Sequence, residues 1–151
     1  MRLVELYLKA FGPFTDQVLS LGAGKQRLVL VHGLNEAGKS SALRAIAGLR
    51  FGFPLRTTDK FLHDYQQMRV GGVFVDAQGN QYSLMRRKGT GVTLKFADFT
   101  QGGVELSEPI PPAINRLLTG GLSVEDYQSM FGLDHDTLRK GGVALVKGEG
   151  E

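Results

Sequence analysis

Residues 28–46, LVLVHGLNEAGKSSALRAI, restrict this chain to few folds. The aliphatic run at 28–31 suits a central strand covered on both faces of a sheet. After the glycine-framed loop, Ala42, Leu43, Ile46, Ala47 and Leu49 recur at helical spacing, which predicts a helix over 39–50 stopped by Gly52 and Pro54. The segment from Gly33 to Ser40 fits G-x-x-x-x-G-K-[ST] at every fixed position, with strand before and helix after as that motif requires.

The residue types follow from what a phosphate needs. Glycine lets consecutive backbone amides point inward, making a nest of donors at a helix amino terminus. Gly33, Leu34, Asn35, Glu36, Ala37, Gly38, Lys39, Ser40 and Ser41 are therefore the candidate nucleotide-binding residues. Lys39 adds a charge-assisted contact to the outer phosphates and is the catalytic candidate; the Ser40 hydroxyl is placed to hold magnesium. A helix dipole contributes about 0.3–1 kcal/mol, whereas a hydrogen bond to a charged group contributes about 1.5–3 kcal/mol. Lys39 and the amides should thus dominate affinity.

The remaining elements are read from periodicity. Residues 3–10 and 18–21 predict two strands that pair across the Gly12-Pro13 turn. Residues 58–68 suggest a short helix capped by Thr58 or Asp59. Val73 and Val75, then Tyr82 and Leu84, describe a hairpin, and 92–99 adds a third antiparallel strand. Residues 109–118 and 123–130 read as helices, the second opened by Ser123 with Asp126 three residues on, and 134–140 suggests one more turn. The expected organisation is a P-loop core over 1–57, an antiparallel segment over 70–99 and a helical segment over 109–142.

Composition excludes several classes. With no cysteine among 151 residues, disulfides and thiolate metal sites are ruled out. Glu5 and Lys9 interrupt any amino-terminal signal region, and no stretch approaches the roughly 20 apolar residues of a membrane span, so the expectation is a cytoplasmic protein without membrane contact. A net charge of +3 permits nucleic-acid contact without demonstrating it.

Rival chemistry is weaker. Asp76-Ala77-Gln78-Gly79 follows an apolar run and matches D-x-x-G, but no N-K-x-D for guanine recognition occurs downstream, and Gly79-Asn80 reads more simply as a hairpin tip. Arg86-Arg87-Lys88 is the densest basic cluster, read either as a solvated turn or as a contact to a phosphate backbone. His32 reads as a strand-end residue; Phe51, Phe53 and Phe61 read as packing for the helix after the loop, with base stacking the alternative.

Four stretches, KAFGPF (9–14), GLNEAGKSSALRAIAGLRFGFP (33–54), VFVDAQGNQYSLMRRKG (73–89) and MFGLDHDTLRKGG (130–142), resemble the amino-terminal half of the ATPase heads of SMC-like proteins, of the SbcC type and especially the YhaN-like bacterial family. The resemblance implies an α/β P-loop NTPase lobe with a mixed sheet plus an antiparallel subdomain. It implies ATP and Mg²⁺ as ligands, and a composite site whose Walker-B acids and signature motif come from a carboxy-terminal lobe and a second head of a homodimer. DNA is implied only indirectly, through the processing or repair work of the full-length protein. Where relatives carry a glutamine in the loop after the short helix, this sequence has Gly132-Leu133-Asp134-His135, so Asp134 or His135 is the tentative metal-facing residue, with a helix cap or solvated loop residue the alternative. This chain carries no convincing Walker B and no heptads, so it is expected to bind nucleotide with negligible turnover. The alternatives are a self-contained small NTPase or nucleotide kinase using Asp76, and a non-catalytic module that uses nucleotide to dock a partner.

Overall fold

The computed structural model describes residues 1–22 and 28–132. Residues 1–120 and 121–151 form two units, each considered by itself.

The first unit is built on β1 (Arg2–Phe11), in which Val4, Leu6 and Leu8 alternate inward with period two and Phe11 closes the row. The chain turns at Gly12-Pro13 and returns as β2 (Phe14–Ser20), antiparallel to β1 as expected. On its other edge β1 pairs with β3 (Arg69–Val75), which continues through β4 (Gln81–Arg87), β5 (Leu94–Asp98) and the short β6 (Val104–Glu105). The result is one six-stranded sheet in the order β2-β1-β3-β4-β5-β6. Every ladder in it is antiparallel, which corrects the expected mixed sheet.

The parallel element was to come from the run at 28–31, and here the expectation fails. Those residues join no ladder, and Leu28 and Leu30 are 86% and 82% exposed. The run stays outside the six-stranded sheet, and among the described residues no strand pairs with it to satisfy its backbone groups.

One face of the sheet is covered by α1 (Lys39–Phe51). Its buried residues, Ser41, Ala42, Ala45, Gly48 and Leu49, form one stripe at helical spacing and are mostly small, so the helix lies close to the strands. Gly72 on β3 shows how close: a Cβ there would sit 2.7 Å from Leu3 Cδ1 and 2.8 Å from Leu49 Cδ2. The core joins Leu6, Leu8, Phe11, Ala45, Leu49, Phe74, Leu84 and Leu118. Leu118 belongs to α2 (Pro112–Thr119), which starts with proline at its first position and is tied to α1 by Arg50 Nη1 donating to the Leu118 carbonyl at 2.7 Å.

Three details refine the local reading: two correct it, and the Asp76 turn agrees with the expected hairpin. Residues 58–68 form turns and bends rather than a helix, and the buried Asp59 carboxylate pairs with the half-exposed Arg44 of α1. Asp76 organises the β3–β4 turn, its carboxylate accepting from the backbone of Gln78 and Asn80 and from the side chains of Asn80 and Tyr82, all at 2.9–3.0 Å. Arg86 is neither solvated nor directed at a ligand. It is only 8% exposed and donates to the carbonyls of Leu49 at 2.8 Å and Arg50 at 3.1 Å, satisfying orphan acceptors at the end of α1. Burial pushes its pKa down to about 10, which leaves it charged at neutral pH.

In the second unit, α3 (Val124–Phe131) starts where the sequence places it, with Ser123 Oγ accepting from the Asp126 backbone at 3.0 Å. The turn expected at 134–140 lies outside the described residues.

Candidate phosphate-binding site

The loop between 32 and 39 turns by alternating conformations. Glu36 (φ 66°) and Gly38 (φ 87°) are both left-handed, so the amides around them converge, and Ala37 N–H donates to the Leu34 carbonyl at 3.2 Å. Gly38 must be glycine on two counts. Its φ disfavours a side chain, and a Cβ would lie 2.4 Å from Phe14 Cζ and 2.9 Å from Pro13 Cγ in the β1–β2 turn.

Gly38 also caps α1, with no side-chain cap bond and no acidic residue in the first turn. The first N–H groups of that helix therefore face outward without an internal acceptor, at the positive end of its dipole. Lys39 opens the helix and folds back, its Nζ donating to the carbonyls of Gly33 at 2.9 Å and Leu34 at 2.6 Å. An ammonium has three donors, so this clasp closes the loop and still leaves one N–H for an anion.

These groups line a cleft of about 460 Å³. Of the candidate residues, Asn35, Glu36, Gly38, Lys39, Ser40 and Ser41 form its wall, and Pro13 and Phe61 complete it; Gly33, Leu34 and Ala37 shape the loop from behind. The Ser41 hydroxyl is committed to Arg44 Nη2 at 3.0 Å, so what Ser41 can offer the cleft is its amide. His32 is exposed beside the loop. Asp134 and His135 lie outside the described residues, and among the described residues no group of histidine and acidic side chains could by itself hold a metal ion.

Sequence reasoning treated Asp59 as a cap and passed over His63; the structure gives both a place beside this cleft. Asp59 is fully buried and accepts a bidentate pair of bonds from Arg44, Nε to Oδ2 at 2.7 Å and Nη2 to Oδ1 at 2.8 Å. Burial pushes its carboxyl upward, but the bonds from Arg44, Ser41 and Thr57 outweigh that and hold it below the usual carboxylate range. Its carbonyl accepts from Gly12 N–H at 3.1 Å. His63 Nε2 lies 2.9 Å from both the Phe14 carbonyl and the Thr15 hydroxyl. The sequence carried only their residue types, since Arg44, Phe14 and Thr15, which they contact, lie 15 or more residues away.

A family model described as an AAA domain matches residues 1–151. The chain belongs to that family. It is also 27% identical over 107 residues to the uncharacterized protein YhaN of Bacillus subtilis (strain 168), an alignment covering 68% of this chain and 10% of the relative. The resemblance to YhaN-like, SMC-type AAA ATPases drawn from the four stretches therefore holds. The chain spans only a small part of that relative's length. No helix among the described residues is long and apolar enough to cross a membrane.

Proposed function

We propose that this chain is the ATP-binding amino-terminal lobe of an SMC-like, YhaN- or SbcC-type P-loop ATPase whose full-length form couples ATP binding and hydrolysis to DNA processing or repair. The observation that carries the reading is Lys39 clasping the loop at the start of α1, where the cap residue Gly38 makes no side-chain bond. The donors fit a polyphosphate: inward amides, one ammonium and a helix dipole, all of one sign.

In this reading Lys39 contacts the outer phosphates and offsets charge developing on the transferred phosphoryl group, while the amides of 36–41 hold its neighbours in line. Ser40 is the residue that would hold Mg²⁺, which would supply positive charge to offset that of the phosphates. Because Ser40 supplies a single oxygen, the metal would be retained mainly by the nucleotide.

The exposed run at 28–31 supports the idea of a half-built head. Four aliphatic residues leading into the loop, 45–86% exposed and paired with no strand among the described residues, fit a run whose neighbouring strands belong to another segment, here the carboxy-terminal lobe. A second head, as a homodimer, would supply the signature motif. Against a self-contained NTPase stands Asp76, whose two carboxylate oxygens are taken up by the β3–β4 turn.

Calorimetry with Mg·ATP tests the proposal. Losing one charged hydrogen bond worth about 1.5–3 kcal/mol, Lys39→Ala should weaken binding roughly 10- to 100-fold. An unchanged affinity in that variant would refute the role of Lys39, and steady multiple-turnover hydrolysis by this chain would refute the half-head reading.

A further inference from the structure

We propose that Phe61, supported by Pro13, is a stacking platform for the base of the nucleotide whose phosphates occupy the Lys39 loop; the proposal rests on the phosphate reading above. Phe61 lines the same cleft as Lys39 and Ser40, yet the residue is 59% exposed. A phenylalanine left in water forgoes about 1.5–3 kcal/mol of burial. An exposed ring is ordinary on a loose loop, but this loop is fastened on both sides of it.

Two residues before Phe61, Asp59 is buried and clamped by Arg44 of α1. Two residues after it, His63 is bonded to Phe14 and Thr15 at the start of β2. These are the same elements that build the phosphate loop: Arg44 lies one helical turn beyond Ser40 and Ser41, and Phe14 packs on Gly38. The tethers therefore fix the backbone beneath the ring relative to the amides and Lys39. An apolar ring lining the same cleft as the anion-binding groups fits a ligand that is charged at one end and flat and apolar at the other, which is the chemistry of a nucleoside triphosphate. The cleft volume of about 460 Å³ falls in the range of roughly 300–1,000 Å³ usual for small-molecule sites.

The platform also has a specificity consequence. Stacking uses the face of a base and ignores its edge, so it tolerates different bases. Asn35 is the amide side chain on the cleft wall, and it belongs to the phosphate loop itself. ATP and GTP should therefore bind within a few-fold of each other.

The test is calorimetry on the whole chain with Mg²⁺ and three probes: ATP, GTP and inorganic tripolyphosphate. From the contribution of one stacked base, wild type should bind ATP and GTP about 5- to 100-fold more tightly than tripolyphosphate. Phe61→Ala should remove that advantage while leaving tripolyphosphate affinity within about twofold, and Phe61→Tyr, which keeps the ring, should retain it. The platform is overturned if Phe61→Ala binds ATP like wild type, or if it weakens tripolyphosphate as much as ATP, which would mark a merely structural role for the ring. If wild type binds tripolyphosphate but ATP no better, the platform fails and the phosphate site stands. If wild type binds neither, both fall together.

Discussion

Breaking the Arg44–Asp59 pair from its two ends should give unequal losses, because the partners differ in exposure. The Asp59 side chain is 0% exposed and that of Arg44 is 48% exposed. Arg44→Met strands a buried carboxylate, whose uncompensated charge costs about 3–5 kcal/mol. Asp59→Asn strands a guanidinium that water already reaches. It loses charged hydrogen bonding of about 1.5–3 kcal/mol, reduced by solvent screening to about 1–2 kcal/mol. Arg44→Met should thus be the more damaging variant by about 2 kcal/mol, or roughly 4–8 °C in midpoint for a chain of this size. Urea titration at pH 7 with unchanged m-value is the assay. Equal losses, or a larger loss in Asp59→Asn, would refute the claim that the cost follows the stranded charge. The pH dependence supplies a second check. The folded-state pKa of Asp59 is depressed, so its stabilisation is present above the unfolded value near 4 and is lost as pH falls through the folded value. In Arg44→Met the main depressing bonds are gone and burial pushes the carboxyl up. Asp59 then takes its proton at higher pH, and the gap to wild type should narrow on acidification.

Two further outcomes follow from burial. Replacing Leu28 and Leu30 together by lysine should change the stability of this chain by no more than about 0.5 kcal/mol, the range for exposed positions; a loss of about 2–5 kcal/mol per site in a denaturation curve would show that the run is a core strand after all. Arg86→Met should lower stability by about 2–4 kcal/mol, since it removes charged donors from the Leu49 and Arg50 carbonyls at the end of α1. Thermal unfolding that moves by less than about 2 °C would show those carbonyls satisfied without it.

Much of the candidate site was legible because its determinants are local. The turn at Gly38 follows from a backbone conformation that glycine tolerates, and Lys39 reaches the Gly33 carbonyl from only six residues away. The hairpin at 76–80 and the cap at Ser123 are local in the same sense: an aspartate or serine bonds amides within four residues of itself. The family was legible too, since its marks are runs of residues rather than contacts.

What only the tertiary structure decided involves partners distant in sequence. Arg86 reads as a solvated cation until the end of α1 is laid across it, 36–37 residues away in the chain. Asp59 reads as a cap until Arg44, 15 residues away, claims it, and turns stand where a helix over 58–68 was expected. The run at 28–31 shows the converse limit. Alternation or continuity of apolar residues states what a strand would bury, whereas forming it requires neighbours to take its hydrogen bonds, and a linear pattern carries no information on whether those neighbours are present.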